Sequence, residues 1–321
     1  MTERSVPLVG DLAPPRSISP TSASTWQQCE LRYALAYGYG WQEAGTWPQL
    51  VGNAVHRTVE LLYGRAPGER TRAAGSELLR VAVPEELARD EFAGLRARTD
   101  GLAPRLLQVG EEALDGLFAL EDPAMVSVDP GGLEVWVTAQ LYGAPVRGRI
   151  DRVYDAGGAY VVADYKSGKV PAPRYTERAF FGLWTYAAAL AAADPDHVLP
   201  DRVELLYLVG RARLARPVLR DTLLAQARLL GRVWRQIGRA VDERVVVART
   251  SVLCDWCAFQ AACPARAGGA LPPVGSAEHA ALLAADGLRR RDRDRVAVVL
   301  ERSVGPGEDD AGVPTAPEES Q

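Results

Sequence analysis

Lysine is nearly missing from this 321-residue chain: only two of its 37 Lys+Arg residues are lysine, Lys166 and Lys169. Cysteine is almost as scarce, and four residues are too few for a disulfide framework in a chain of this size. No apolar run is long enough to span a membrane, and Met1–Arg16 lacks the apolar core of a secretory leader. The expectation is therefore a soluble, cytoplasmic protein. The G-x-x-x-x-G-K-[ST] loop that cradles ATP phosphates is absent, so any ATP-driven unwinding would come from a partner. Net charge is small, −4 with a pI near 5.6, which excludes bulk-charge binding to nucleic acid. Any polyanion site must be a local, arginine-lined cleft.

What is present is a 47% hydrophobic content, enough to bury one large core or two small ones. The composition is rich in Ala, Arg, Gly and Val, and writes Arg wherever a positive charge suffices. A lysine retained against that habit is a candidate for work a guanidinium cannot do. Its compact ammonium shifts its pKa and handles a water, whereas Arg stays protonated.

One of the two lysines ends the stretch on which the chain is organised, Val146–Gly168. This reads as two short strands, Val146–Tyr154 and Ala159–Lys166, joined at Gly157-Gly158. A two-residue Gly-Gly loop lays Asp151 directly opposite Asp164. A four-residue loop, Asp155–Gly158, makes them diagonal neighbours on the same face, because side chains alternate with period two. Lys166 shares that face in either register. Facing carboxylates destabilise a sheet unless something bridges them, and a divalent cation with oxygen ligands is the natural bridge. The plain alternative is an exposed hairpin with solvated charges.

Around this hairpin, residues 1–16 read as a loose leader. Ser19 or Thr21 caps a helix bearing Trp26, Cys29 and Tyr33 at helical spacing, where Cys29 alone reads as an ordinary buried cysteine. Gly52–Tyr63 reads as a helix with His56 and Glu60 stacked four apart. Taken alone, His56 is the kind of residue more often found satisfied in a core or on a surface than bound to a metal. Residues 64–130 hold further helices, Ala74–Arg98 and Pro104–Leu120, with no chemistry visible in them. Strand Leu133–Leu141 precedes the hairpin. A long helix Arg174–Ala193, strands Arg202–Val209 and Arg211–Leu214, and an amphipathic helix Asp221–Val241 follow. The order predicts an α/β fold with a mixed sheet and an inserted helical region. Ser276–Val304 suggests a helical extension, and 305–321 has the composition of a disordered tail.

Three of the four cysteines cluster as Cys254-x2-Cys257-x5-Cys263-Pro264; the fourth is Cys29. A structural zinc site usually draws its ligands as two close pairs. One distant plus three clustered thiols fit an all-thiolate iron–sulfur cluster better, with zinc or unrelated free thiols as the alternatives. Such a clasp would tie the N-terminal helix to the C-terminal end.

Taken together, these segments resemble the RecB-family exonuclease branch of the PD-(D/E)XK nuclease superfamily, and specifically its iron–sulfur members. That group includes the nuclease domains of AddB-type repair subunits and of CRISPR-adaptation nucleases. The likeness runs over about 17–266. It rests on the Ser-rich helix start ending at Cys29, on Gly52-x-x-x-His56, on Gly148-Arg149-Ile150-Asp151-Arg152, on Asp164-Tyr165-Lys166-Ser167-Gly168, and on the closing cysteine run. The family's next motif, Q-x-x-x-Y, keeps Tyr186 here but has Gly182 where the Gln would stand.

The resemblance implies a restriction-endonuclease-like core over 17–270, with 1–16 a flexible leader and 271–321 an extension. It implies that His56, Asp151, Asp164 and the Tyr165 carbonyl bind Mg²⁺ or Mn²⁺, a donor set of oxygens with one imidazole that suits those ions better than zinc. Lys166 would orient or deprotonate the attacking water. Glu60, one turn after His56, reads either as a support for the site or as half of a simple surface pair. Arg149, Arg152 and Tyr186 would contact substrate, and Cys29, Cys254, Cys257 and Cys263 would hold a [4Fe–4S] cluster. The implied activity is a metal-dependent DNA exonuclease acting on single strands or DNA ends in repair or recombination, with a helicase or repair partner. The alternative is a non-catalytic module that binds DNA ends and keeps the fold and the cluster.

Overall fold

The computed structural model describes residues 3–9, 15–193, 199–266, 268–269, 271 and 289–290. Ser19 is the cap of the first helix, α1 (Pro20–Gln28): its hydroxyl accepts from the Ser22 amide at 3.1 Å, while Ser22 Oγ accepts from the Ser19 amide at 2.8 Å. Cys29 is extended and breaks the chain into α2 (Glu30–Tyr33). The short strand β2 (Trp41–Gln42) leads to α3 (Trp47–Tyr63). This helix starts a turn and a half before Gly52, because Thr46 caps it and Pro48 sits in its first turn, where a missing amide costs nothing.

The helical insertion follows as α4 (Arg72–Leu87), α5 (Ala93–Arg98) and α6 (Leu102–Leu120). The single helix expected over 74–98 is thus two helices separated by a tight turn at Asp90–Phe92. Strands β3 (Leu133–Leu141), β4 (Ala144–Asp155) and β5 (Tyr160–Lys166) form the meander. After it come a short helix α7 (Thr176–Ala179), then α8 (Phe181–Ala193), β6 (Arg202–Tyr207), β7 (Ala212–Pro217), α9 (Arg220–Glu243) and β8 (Val245–Arg249).

The central sheet runs β3-β4-β5-β6-β7, parallel only between β5 and β6, where α7 and α8 make the crossover. Gly157 and Gly158, at φ +73° and +92°, close β4 onto β5 as the two-residue loop that twisted strands favour. The sheet carries a core on each face. Val162, Val203 and Leu205 join side chains of α1, α8 and α9 on one side, while Val161, Ala163 and Leu206 join α3, α4 and α6 on the other. That is why Val161–Ala163 is apolar without alternation. Helix α6 comes so close to the sheet that any side chain at Gly116 would strike the Leu208 backbone.

Part of the stretch read as a loose leader is ordered: β1 (Glu3–Pro7) pairs antiparallel with β8 and buries Val6. Pairing over such a sequence distance leaves no local signature. Near the C-terminus, β9 (Arg289–Arg290) pairs with β2, where a helix was expected. The rest of 276–304, and the tail, lie outside the described residues. No described helix is long and apolar enough to cross a membrane.

Candidate active site

The β4–β5 ladder ends at Arg152↔Ala163, in the register that places the next pair, Asp151 and Asp164, face to face. Beyond it the strands part, and Ile18 bridges to Val146 of β4. At the fork the Tyr165 amide donates to Asp151 Oδ2 at 2.9 Å, so a carboxylate takes the place of a ladder carbonyl. Helix α3 brings His56 over the fork. Its Nε2 lies 2.8 Å from the Tyr165 carbonyl and its Nδ1 3.3 Å from Asp151 Oδ2. Lys166 Nζ lies 2.5 Å from Asp164 Oδ2. Gly52 faces Ser167: a Cβ at 52 would lie 3.7 Å from the Ser167 hydroxyl, so the first and last motifs of the site lie side by side.

The electrostatics are uneven. Burial works against the Asp151 charge, yet His56, the Tyr165 amide and Lys166 hold its pKa below the usual carboxylate range. Burial moves Asp164 the other way, upward, and the Asp151 charge adds to this against the pull of Lys166. Two carboxylates sharing one site cannot both ionise freely. Burial disfavours the His56 cation, but Asp151 and Asp164 outweigh it and raise the ring to about 9. Lys166 is likewise raised by Asp164 and Asp151 despite burial, so without metal it is a cation. Asp164 Oδ2 is buried and meets the Lys166 ammonium at 2.5 Å. Burial still penalises the carboxylate, and its remaining lone pairs are free to meet a further cation.

A further carboxylate joins the site. Glu134, at the start of β3, places an oxygen within 4.8 Å of ligand atoms of His56 and Asp151. It sits at φ +50°, a strained position for a residue with a Cβ, and burial raises its carboxyl to about 6. The signal for it was available. β3 pairs with β4 through Leu133↔Arg152 and Val135↔Ile150, so the alternation that matches Asp151 to Asp164 also matches Glu134 to Asp151. The tyrosine of α8 reaches the site as well: Tyr186 packs on Gly148, and burial and both aspartates raise its phenol.

Arg152, expected at the substrate, is instead fully buried on the opposite face of β4. It makes two bonds to Glu121, at 2.6 and 3.0 Å, and its guanidinium lies 4.2–5.3 Å from the ring centroids of Tyr63, Tyr154 and Tyr165. It cannot meet a phosphate; it fixes the strand. Glu60 pairs with Arg57 at 2.9 Å, and Arg149 with Glu134 at 2.5 Å.

The four cysteines, distant in sequence, line one cleft between the α1–α2 kink and the 251–266 loop. Burial raises the Cys257 and Cys263 thiols, with Cys29 close enough to contribute.

With this geometry in view, the family model described as the PD-(D/E)XK nuclease superfamily matches residues 17–264. No curated protein matches the chain. Among solved structures, the one described as the crystal structure of SSO0001 is 15% identical, covering 68% of this chain and 95% of that one, at a TM-score of 0.29. The family match spans most of the sequence and takes in His56, Asp151, Asp164, Lys166 and all four cysteines: the chain belongs to the PD-(D/E)XK nuclease superfamily.

Proposed function

We propose that the chain is a Mg²⁺- or Mn²⁺-dependent deoxyribonuclease of the RecB branch, an exonuclease acting on single-stranded DNA or DNA ends in repair or recombination. The observation that carries the reading is the buried Asp151 and Asp164 carboxylates facing each other, with an imidazole, a backbone carbonyl and a lysine around them. Oxygen donors with one imidazole fit a hard divalent cation. His56, Asp151, Asp164 and the Tyr165 carbonyl would hold it, and Glu134 is close enough to join them. When bound, the cation supplies charge on a non-bridging phosphate oxygen and activation of water. The chain's own residues do the rest. Asp164 holds the Lys166 ammonium at the fork, where it orients the attacking water and steadies charge growing on the phosphate. His56 gives up its proton to become a ligand, and Tyr165, whose amide is tied to Asp151, keeps its carbonyl aimed at the same point.

The reading includes a [4Fe–4S] cluster held by Cys29, Cys254, Cys257 and Cys263, supported by the one distant and three clustered thiols lining a single cleft. A cluster there would pin α1 and α2 to the C-terminal loop.

Protein purified without oxygen, given Mn²⁺ and strands labelled at either end, should degrade DNA. Asp164→Ala and Lys166→Ala should both stop it. Cleavage surviving in both variants would refute the assignment. A second reading, a DNA-end-binding module without cleavage, has one observation in its favour. Gly182 leaves the family's Gln position empty although a Cβ there would meet only Pro20, at 3.8 Å. Binding to ends with no cleavage under any divalent ion would support it.

A further inference from the structure

The open face of the β3–β4 hairpin carries an aromatic–arginine strip that begins at the metal fork. At the fork Glu134 lies beside Asp151. The rungs that lead away from it on the open face are Trp136↔Arg149 and Thr138↔Arg147. Trp136 is 61% exposed, although a Trp usually loses most of its surface on folding. The Arg147 guanidinium carbon lies 4.5 Å from its ring centroid and that of Arg149 6.0 Å. Arg149 is tied to Glu134, itself within 4.8 Å of the Asp151 and His56 ligand atoms. Arg147 pairs with no carboxylate among the described residues, so its charge is balanced only by the ring. The strip is thus continuous with the fork. Each rung adds two residues, about 6.7 Å, a step that a short stretch of extended polynucleotide covers.

We propose that Trp136, Arg147 and Arg149 form a stacking subsite for an unpaired nucleobase of the strand whose phosphate enters the metal fork. This rests on the nuclease reading and adds the recognition element to it. An exposed indole offers a π-face to any base, and flanking guanidiniums meet the phosphates on either side, the combination that holds single strands without reading sequence. Two features tie the occupant to a nucleic-acid strand rather than to a protein segment. The strip bears two cations, and Arg149 joins it directly to Glu134 at the acidic fork. The chain's net charge of −4 makes such a local patch necessary for holding a polyanion at all.

The test separates this subsite from the chemistry. With Ca²⁺ in place of Mn²⁺ to suppress cleavage, fluorescence anisotropy measures binding of a labelled oligothymidylate to the full-length protein. Trp136→Ala should weaken it about tenfold or more, with Trp136→Phe keeping most of the affinity. A strand made wholly of abasic nucleotides should bind wild type and Trp136→Ala alike. Arg147→Ala should weaken both strands and flatten the salt dependence. In parallel, Mn²⁺-dependent hydrolysis of a small aryl phosphodiester, which has no neighbouring base, should be equal in wild type and Trp136→Ala. Unchanged affinity of Trp136→Ala for the oligothymidylate, or an equal loss for the abasic strand, overturns the stacking subsite. Absence of diester hydrolysis in every protein would count against the nuclease reading, while the anisotropy result would still decide the subsite.

Discussion

Asp151 and Arg152 are adjacent in sequence and occupy opposite electrostatic regimes. On one face of β4, Asp151 looks across at Asp164 with Glu134 beside it, carboxylates crowded together among His56 and Lys166, and the Glu134 backbone is held at positive φ. On the other face Arg152 is enclosed by three tyrosines and paired twice to Glu121, which Arg213 also contacts at 2.8 Å. Arg213 continues to Glu204 at 3.2 Å and Arg202 joins it at 2.7 Å, so that face is a network of paired charges, although Arg152 Nε and the Tyr165 hydroxyl find no hydrogen-bond partner in it. Side-chain alternation lets one strand build a stable anchor directly behind a deliberately unstable site. The strain of the fork is tolerable because the anchor over-determines where the fork must sit.

The comparison can be broken from either side. The largest effect expected is on activity: Lys166→Ala should lower the Mn²⁺-dependent cleavage rate by about 10²–10⁴-fold, measured under single-turnover conditions, with the fold intact by circular dichroism. On the anchor side, Arg152→Met should cost about 3–5 kcal/mol in urea denaturation, because it removes two bonds from the buried Glu121 carboxylate and leaves it only Arg213 and Tyr63. The double variant Arg152→Met/Glu121→Gln should recover part of that loss. Little loss in the single variant would mean that the network is ornamental.

The two faces should also respond oppositely to acid. Glu121 has a pKa held low: burial opposes its charge, but Arg152 and Arg213 prevail. Its stabilising contribution is present above the unfolded carboxyl pKa, near 4.3, and is lost as pH falls below that towards the depressed folded value. Glu134 is raised from 4.5 to about 6. Its charge destabilises the metal-free fold above pH 6, and the penalty fades as pH falls from about 6 towards 4.5. The metal-free protein should therefore gain about 1–2 kcal/mol across that window before the Glu121 loss begins. Glu134→Gln should remove the gain, as read by denaturation midpoints over pH. The smallest effect expected is at Gly182. Gly182 is the second residue of α8 and a Cβ there meets only Pro20, at 3.8 Å, so Gly182→Gln should raise the melting point by about 1–2 °C, less than an interior helix position would give.

Much of the fork was legible in the sequence because it is local. Gly157-Gly158 dictates the loop, the loop dictates register, and register alone puts Asp151 opposite Asp164. His56 was readable as a helical residue, but its approach to Tyr165 depends on how α3 sits against the sheet, which no local pattern encodes. Glu134 was missed because the register argument was applied to one side of β4 only. Arg152 was misplaced because a guanidinium beside a catalytic carboxylate suggests a phosphate contact. Only the distant partners Tyr63 and Glu121 reveal that it is interior. The β1–β8 pair escaped for the same reason, since five-residue strands at opposite ends of a chain announce nothing alone.

The central claim is that the crowded carboxylates of the fork form a metal site, and thermal unfolding with and without Mn²⁺ tests it most directly. Metal-free Asp164→Asn should melt above metal-free wild type, because burial makes the Asp164 charge costly. Added Mn²⁺ should raise the wild-type midpoint in proportion to the logarithm of its concentration and leave Asp164→Asn unmoved. A wild-type midpoint indifferent to Mn²⁺, or an equal rise in both proteins, would contradict the account.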